Sequence, residues 1–151
     1  MTAVLQRIKH ATVYADGAFS GEVEQGLYIL LGVENGDDEE DALVLAEKIA
    51  KLRIFEDDNG KMNLSVQDVN GEIMVVSNFT LAADYSHGNR PSYIGAAAPA
   101  LAEALYNRFV ALIGTKVRKV ATGKFGADMC TDMQTDGPVT IVMHASVLRK
   151  K

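Results

Sequence analysis

The chain has 151 residues, 48% of them apolar and 23% charged, which suits one domain with its own core and excludes a disordered segment. Its 15 Lys and Arg against 20 Asp and Glu leave a formal charge of −5, which excludes broad electrostatic binding along a nucleic-acid backbone but not recognition of a nucleic-acid end. The single cysteine, Cys130, excludes an internal disulfide, and residues Met1 to Arg7 carry no basic segment followed by a long apolar one. No apolar run approaches the ~20 residues of a membrane span, so a cytoplasmic protein, without membrane contact and with one domain over residues 1–151, is expected.

From Ala3 to Val23 the pattern predicts two strands joined at Ala15-Asp16-Gly17-Ala18, because Asp-Gly supplies the positive φ angles of a tight hairpin. Leu27 to Val33 is apolar throughout except for Gly32 and fits a central strand covered on both faces. A helix follows, with Asp37 as N-cap, Glu40 as its capping-box partner, and Ala42, Leu45, Ala46, Ile49 and Leu52 as its buried stripe. The acids at 37–41 read as a helix start rather than a cation site. Arg53 to Glu56 predicts a short strand, and Asp57-Asp58-Asn59-Gly60 a turn without the ligand spacing of a calcium loop.

After a turn at Asn70-Gly71, a strand is expected over Glu72 to Phe79, which would put Asn78 and Thr80 on one face and Ser77 and Phe79 on the other. Residues 82–99 form a long connection of the kind that is often functional. A second helix is predicted from Pro99 to about Ile113, with Leu101, Ala104, Leu105, Phe109 and Leu112 inside. Val117 to Ala121, Cys130 to Gln134 and Val139 to Ala145 complete the strands, with a Gly-containing loop at 122–129. The order predicts an α+β fold, a layered, barrel-like mixed sheet with two helices.

Chemistry is sparse. His10, His87, His144 and one cysteine are too far apart in sequence for a zinc site, and neither a phosphate-binding GxxxxGK[ST] loop nor a GxGxxG turn is present, so no metal and no cofactor are expected. A Ser-His-acid arrangement would require His87 to reach Ser77 or Thr80, which sequence leaves open. Cys130 as a nucleophile would need a cationic neighbour, and a reduced structural cysteine is the preferred reading. The grouped bases Lys116, Arg118, Lys119 and Lys124, with the tail Arg149-Lys150-Lys151, read as solvated surface. Gly137-Pro138 is either a proline opening a strand or a cis bond that reverses the chain.

Two stretches stand out: Ser77-Asn78-Phe79-Thr80-Leu81 and Thr135-Asp136-Gly137-Pro138-Val139-Thr140, each joined to an apolar run. With Thr122-Gly123-Lys124-Phe125-Gly126-Ala127-Asp128-Met129 between them, the chain resembles the D-aminoacyl-tRNA deacylase (D-Tyr-tRNA deacylase) family over essentially its whole length, including Val4-Leu5-Gln6-Arg7 and Leu30-Leu31-Gly32-Val33. It departs from the family pattern at Asn78, where the first motif usually has Gln and the amide is shorter by about 1.5 Å of reach. Thr135 likewise stands where the second motif usually has Asn.

The resemblance implies a cytoplasmic homodimer of deacylase-like fold that hydrolyses the ester between a D-amino acid and the 3′-terminal adenosine of tRNA, and also glycine mischarged on tRNA(Ala). In that picture a cis Gly137-Pro138 of one subunit enters the other's pocket, and its carbonyls meet the substrate amine and exclude an L side chain sterically. Ser77, Phe79 and Thr80 are the implied catalytic residues. Asn78, Phe125, Met129, Gly137, Pro138, Thr140 and Arg7 are implied to bind substrate, with Phe125 and Met129 lining the terminal-nucleotide pocket and Arg7 bracing the Gly-Pro loop. Backbone N–H groups near Phe79 and Thr80 would stabilise the oxyanion, and attack by a tRNA-assisted water is preferred over attack by the Thr80 hydroxyl. The alternative is a non-catalytic nucleic-acid-binding dimer.

Overall fold

The computed structural model describes residues 1–149, so Lys150 and Lys151 of the basic tail lie outside the described residues. A 14-residue strand, β1 (Thr2–Ala15), is the template for the rest. It turns through Asp16 (φ 50°) and Gly17 (φ 80°), the left-handed pair of a tight hairpin, into β2 (Ala18–Val23). The next strand, β3 (Gly26–Gly32), lies antiparallel to the first half of β1, while β2 takes the second half.

Helix α1 spans Glu39–Lys51, and its cap differs from the sequence expectation by one residue. Asp38 is the N-cap: its carboxylate accepts from Glu40 N and Asp41 N, and Asp41 accepts from Asp38 N at 2.8 Å. Asp37 is instead held by the Met1 amine and by Glu34 N. The stripe Ala42, Leu45, Ala46 and Ile49 is buried as expected, with Leu52 as C-cap.

A small pair, β4 (Phe55–Glu56) and β5 (Met62–Leu64), flanks the Asp57–Gly60 turn. Next comes β6 (Glu72–Ser77), parallel to β3 and covered on both faces. It stops two residues earlier than predicted because Asn78 turns its side chain onto Thr80 N and starts a 3₁₀ turn, Phe79–Ala82, so the proposed two-face alternation through Thr80 does not occur.

Helix α2 (Pro99–Gly114) buries Ala102, Leu105, Tyr106, Phe109 and Ile113, whereas Leu101 and Ala104 are exposed. Apolar residues at 101, 102, 104 and 105 leave the helical phase ambiguous by one position. Tyr106 resolves it, because its hydroxyl must face the sheet to donate to Val75 O at 2.9 Å. A shortened β7 (Val120–Thr122) pairs with β6; Arg118 reaches the buried Glu72 at 2.8 Å and Lys119 approaches it at 4.0 Å.

The two predicted C-terminal strands are one, β8 (Met129–His144), because β1 pairs with it along nearly its whole length. A third helix, α3 (Ala145–Leu148), follows where the sequence reading extended the last strand to Ala145. The sheet order is β2-β1-β3-β6-β7, with β8 on the other edge of β1, and Ser20 of β2 donates to Thr122 O of β7 at 2.8 Å. The result is a mixed sheet nearly closed into a barrel. One apolar cluster (Ile8, Val13, Tyr28, Met74, Val76) fills its inside, and a larger one (Leu31, Ile49, Val75, Phe109) separates it from the helices. Among the described residues no helix is long and apolar enough to cross a membrane.

Candidate active site

Parallel pairing brings β3 and β6 to an end side by side, with Leu31 opposite Ser77. A cavity of about 620 Å³ opens at this sheet end, and its lining is mostly apolar. Ser77, Asn78 and Phe79 stand on its rim, Phe125 and Met129 on its wall, with Ala102 and Tyr106 of α2 behind them. The parallel crossover places polar groups where both strands leave the core, the usual position for a site in such a sheet.

At the rim, Asn78 Oδ1 accepts from Thr80 N at 3.2 Å and from the Thr80 hydroxyl at 2.5 Å. This removes the Thr80 N–H from the set of available oxyanion donors. Asn78 N donates to Leu31 O, and the Phe79 N–H, first in the 3₁₀ turn, has no partner among the described residues. The Asn78 amide nitrogen is likewise free among them. The Phe79 ring is 59% exposed and meets Tyr93 edge-on, with centroids 5.2 Å apart. Thr80 is exposed and lies off the cavity lining.

The second motif is elsewhere. In the β1–β8 ladder Gln6 pairs with Thr140 and Ile8 with Thr135, so Arg7 alone faces Asp136, Gly137, Pro138 and Val139, which bulge out of the ladder. The Gly137-Pro138 bond is cis, and both residues are exposed. Gly137 has φ 137°, and a Cβ there would lie 2.5 Å from Val139 N, so the position requires glycine. Arg7 is buried and donates to Asp136 O (3.2 Å) and Ile54 O (2.8 Å), while its Nε lies 3.2 Å from the Asp136 carboxylate. Thr140 accepts a long bond, 3.4 Å, from Gln6 Nε2. None of Arg7, Gly137, Pro138 or Thr140 lines the cavity of its own chain.

Among the described residues no histidine bonds to the rim: His87 is exposed in the 82–99 connection without a bond to Ser77 or Thr80, and His144 Nδ1 is 2.9 Å from the Thr2 hydroxyl. Cys130 is free and exposed on β8. Among the described residues no three His, Cys, Asp or Glu side chains gather as a metal site. Deep in the cavity are two groups that sequence reading missed. Tyr28 Oη is 2.9 Å from Thr131 Oγ1, joining residues 103 apart in the chain, and neither carried a local signal. Burial raises the Tyr28 pKa against the opposing effect of the Thr131 bond, and burial pushes Tyr106 up to about 12, so both phenols stay protonated.

Residues 4–144 match the family model described as D-Tyr-tRNA(Tyr) deacylase. The D-aminoacyl-tRNA deacylase of Thermosipho africanus (strain TCF52B) is 50% identical over 96% of this chain and 97% of its own. That of Geobacter sulfurreducens (strain ATCC 51573 / DSM 12127 / PCA) is 52% identical over 95% and 94%. Among solved structures, a c-Myc DNA unwinding element binding protein aligns with TM-score 0.89 at 37% identity, over 95% of this chain and 98% of its own. A probable eukaryotic D-amino acid tRNA deacylase shares the fold, with TM-score 0.77 at 16% identity over 95% and 99%. A family match across nearly the entire chain, together with relatives at half identity, decides the assignment: the chain belongs to the D-Tyr-tRNA(Tyr) deacylase family.

Proposed function

We propose that this hydrolase removes D-amino acids from tRNA at a site shared between two copies of the chain. The terminal adenosine enters the 620 Å³ cavity and places its aminoacyl ester at the Ser77-Asn78-Phe79 rim. The observation that carries this reading is that the Phe79 N–H and the Asn78 amide, neighbours on that rim, have no partner among the described residues, which leaves two donors available to an ester oxygen that develops negative charge. Water adds to the ester carbonyl, the bond to the ribose oxygen breaks, and the proton passes to that oxygen. The products are free tRNA and the amino acid. An aminoacyl ester is labile, so positioning and charge stabilisation suffice without a side-chain base. The Thr80 hydroxyl donates to Asn78, which makes it an orienter of the amide rather than the nucleophile.

Chirality comes from the second motif. Gly137 and Pro138 are exposed on a bulge that does not line the 620 Å³ cavity of its own chain, and the outer edge of β8 is unpaired among the described residues. Docked on a partner, the bulge brings its backbone carbonyls to the substrate amine and fills the space an L side chain requires. Glycine has no side chain to exclude and is accepted, including glycine mischarged on tRNA(Ala). Because backbone rather than a shaped pocket does the selecting, D-Tyr, D-Phe and D-Asp esters should react alike, whereas a hydrophobic pocket would separate side chains by about 1–3 kcal/mol per methylene. Single-turnover deacylation of matched D-, L- and glycyl-tRNAs tests this. Hydrolysis of L-Tyr-tRNA within about tenfold of D-Tyr-tRNA would sink the steric mechanism.

A second reading, a non-catalytic nucleic-acid-binding dimer, draws on the likeness to the c-Myc DNA unwinding element binding protein. The charge of −5 weighs against it, and absence of any deacylation in the same assay would favour it.

A further inference from the structure

The cavity contains one polar feature that the reaction above does not use. Of its lining hydroxyls, Tyr106 commits its single proton to Val75 O, and Ser77 stands at the rim. Tyr28 of β3 and Thr131 of β8 meet across the inside of the barrel at 2.9 Å, among the apolar side chains of Leu30, Val76 and Met129. Tyr28 is only 5% exposed, whereas Thr131 is half-buried, so the pair is rooted in the barrel and reachable from the cavity. Two hydroxyls that share one hydrogen bond still keep one free proton and several lone pairs. The pair therefore offers a donor and an acceptor side by side, next to the apolar side chains of Leu30, Val76 and Met129.

That arrangement complements a base edge on which a ring-nitrogen acceptor adjoins an exocyclic-amine donor. Adenine has such an edge, and Phe125 and Met129 on the same cavity wall supply the aromatic and thioether surfaces that hold a base by its faces. We propose that Tyr28 and Thr131 read the N1/N6 edge of the terminal adenine and so set how deeply the nucleoside seats, which fixes where its ester meets the Phe79 N–H. This rests on the deacylase reading for the identity of the ligand. The two hydroxyls are specificity-determining: they contact the base and take no part in bond breaking.

The test compares adenosine 5′-monophosphate with purine riboside 5′-monophosphate, which lacks the exocyclic amine, by calorimetric binding to the full-length protein. The wild-type chain should bind the first about tenfold more tightly, as expected for one well-formed hydrogen bond. Tyr28→Phe and Thr131→Val should each bring the ratio close to one. In single-turnover deacylation of D-Tyr-tRNA both should raise the half-saturating concentration by a similar factor. A role confined to barrel packing would leave the nucleotide ratio unmoved in folded variants, and that result overturns the proposal. If a variant fails to fold, the wild-type ratio alone decides, and a ratio of one overturns it. Failure of the deacylase reading has a different signature: nucleotide discrimination lost on Tyr28→Phe, but no hydrolysis of any D-aminoacyl-tRNA by wild type, would retain the base contact and reject the reaction.

Discussion

The two motifs that dominate the sequence occupy opposite kinds of place. Ser77-Asn78-Phe79-Thr80-Leu81 follows a strand buried on both faces and opens onto a cavity walled by its own chain. Thr135 to Thr140 lies on an edge strand, and Gly137-Pro138 is exposed on it outside the lining of that cavity. Yet the bulge is not loosely held: a buried arginine, Arg7, ties Asp136 to Ile54 beneath it. Anchoring an exposed tip so firmly makes sense only if its position matters to something outside the chain. On the proposed reading, one motif builds a pocket that lacks a selector, and the other a selector that lies outside that pocket.

The largest effect should come from the pocket side. Asn78→Asp keeps the acceptor that caps the 3₁₀ turn and holds Thr80, but replaces the free amide with an anion, and kcat should fall about 10²–10³-fold with D-Tyr-tRNA. Thermal unfolding should barely move, separating this from loss of the cap. Gly137→Val acts on the other side: the added Cβ meets Val139 N, displaces the bulge, and should lower activity about 10²-fold in a folded chain. Undiminished activity in that variant would break the division of labour between the motifs. Thr80→Ala should have the smallest effect, below about tenfold, because the Thr80 hydroxyl donates to Asn78 and the residue lies off the cavity lining. A single-turnover loss of about 10⁴-fold with binding intact would reinstate its hydroxyl as nucleophile.

Local chemistry explains which parts of this were legible in the sequence. The hairpin at Asp16-Gly17, the doubly covered β3 and the stripe of α1 follow from turn residues and periodicity, and each appears where expected. The errors fall where a side chain overrides the pattern: Asn78 ends β6 by bonding its own turn, Tyr106 sets the phase of α2 through Val75 O, and Asp37 leaves the cap to Asp38 because the Met1 amine holds it. The motifs of the candidate site were readable in the sequence, but their geometry was not. Nothing near Tyr28 points to Thr131, and nothing near Arg7 points to Asp136, since those contacts exist only after β1 has gathered β3 and β8 on its two edges.

The central claim is that pocket and selector act across chains, and mixed dimers test it directly. Asn78→Asp and Gly137→Val chains, each nearly inactive alone, are refolded together in equal amounts. Every mixed dimer then contains one site with an intact rim facing an intact bulge, and random assortment places about a quarter of all sites in that state. Single-turnover hydrolysis of D-Tyr-tRNA by the mixture should recover to about a quarter of the wild-type amplitude, with L-Tyr-tRNA still refused. A mixture no more active than its two parents would contradict the claim and return both motifs to a site within one chain.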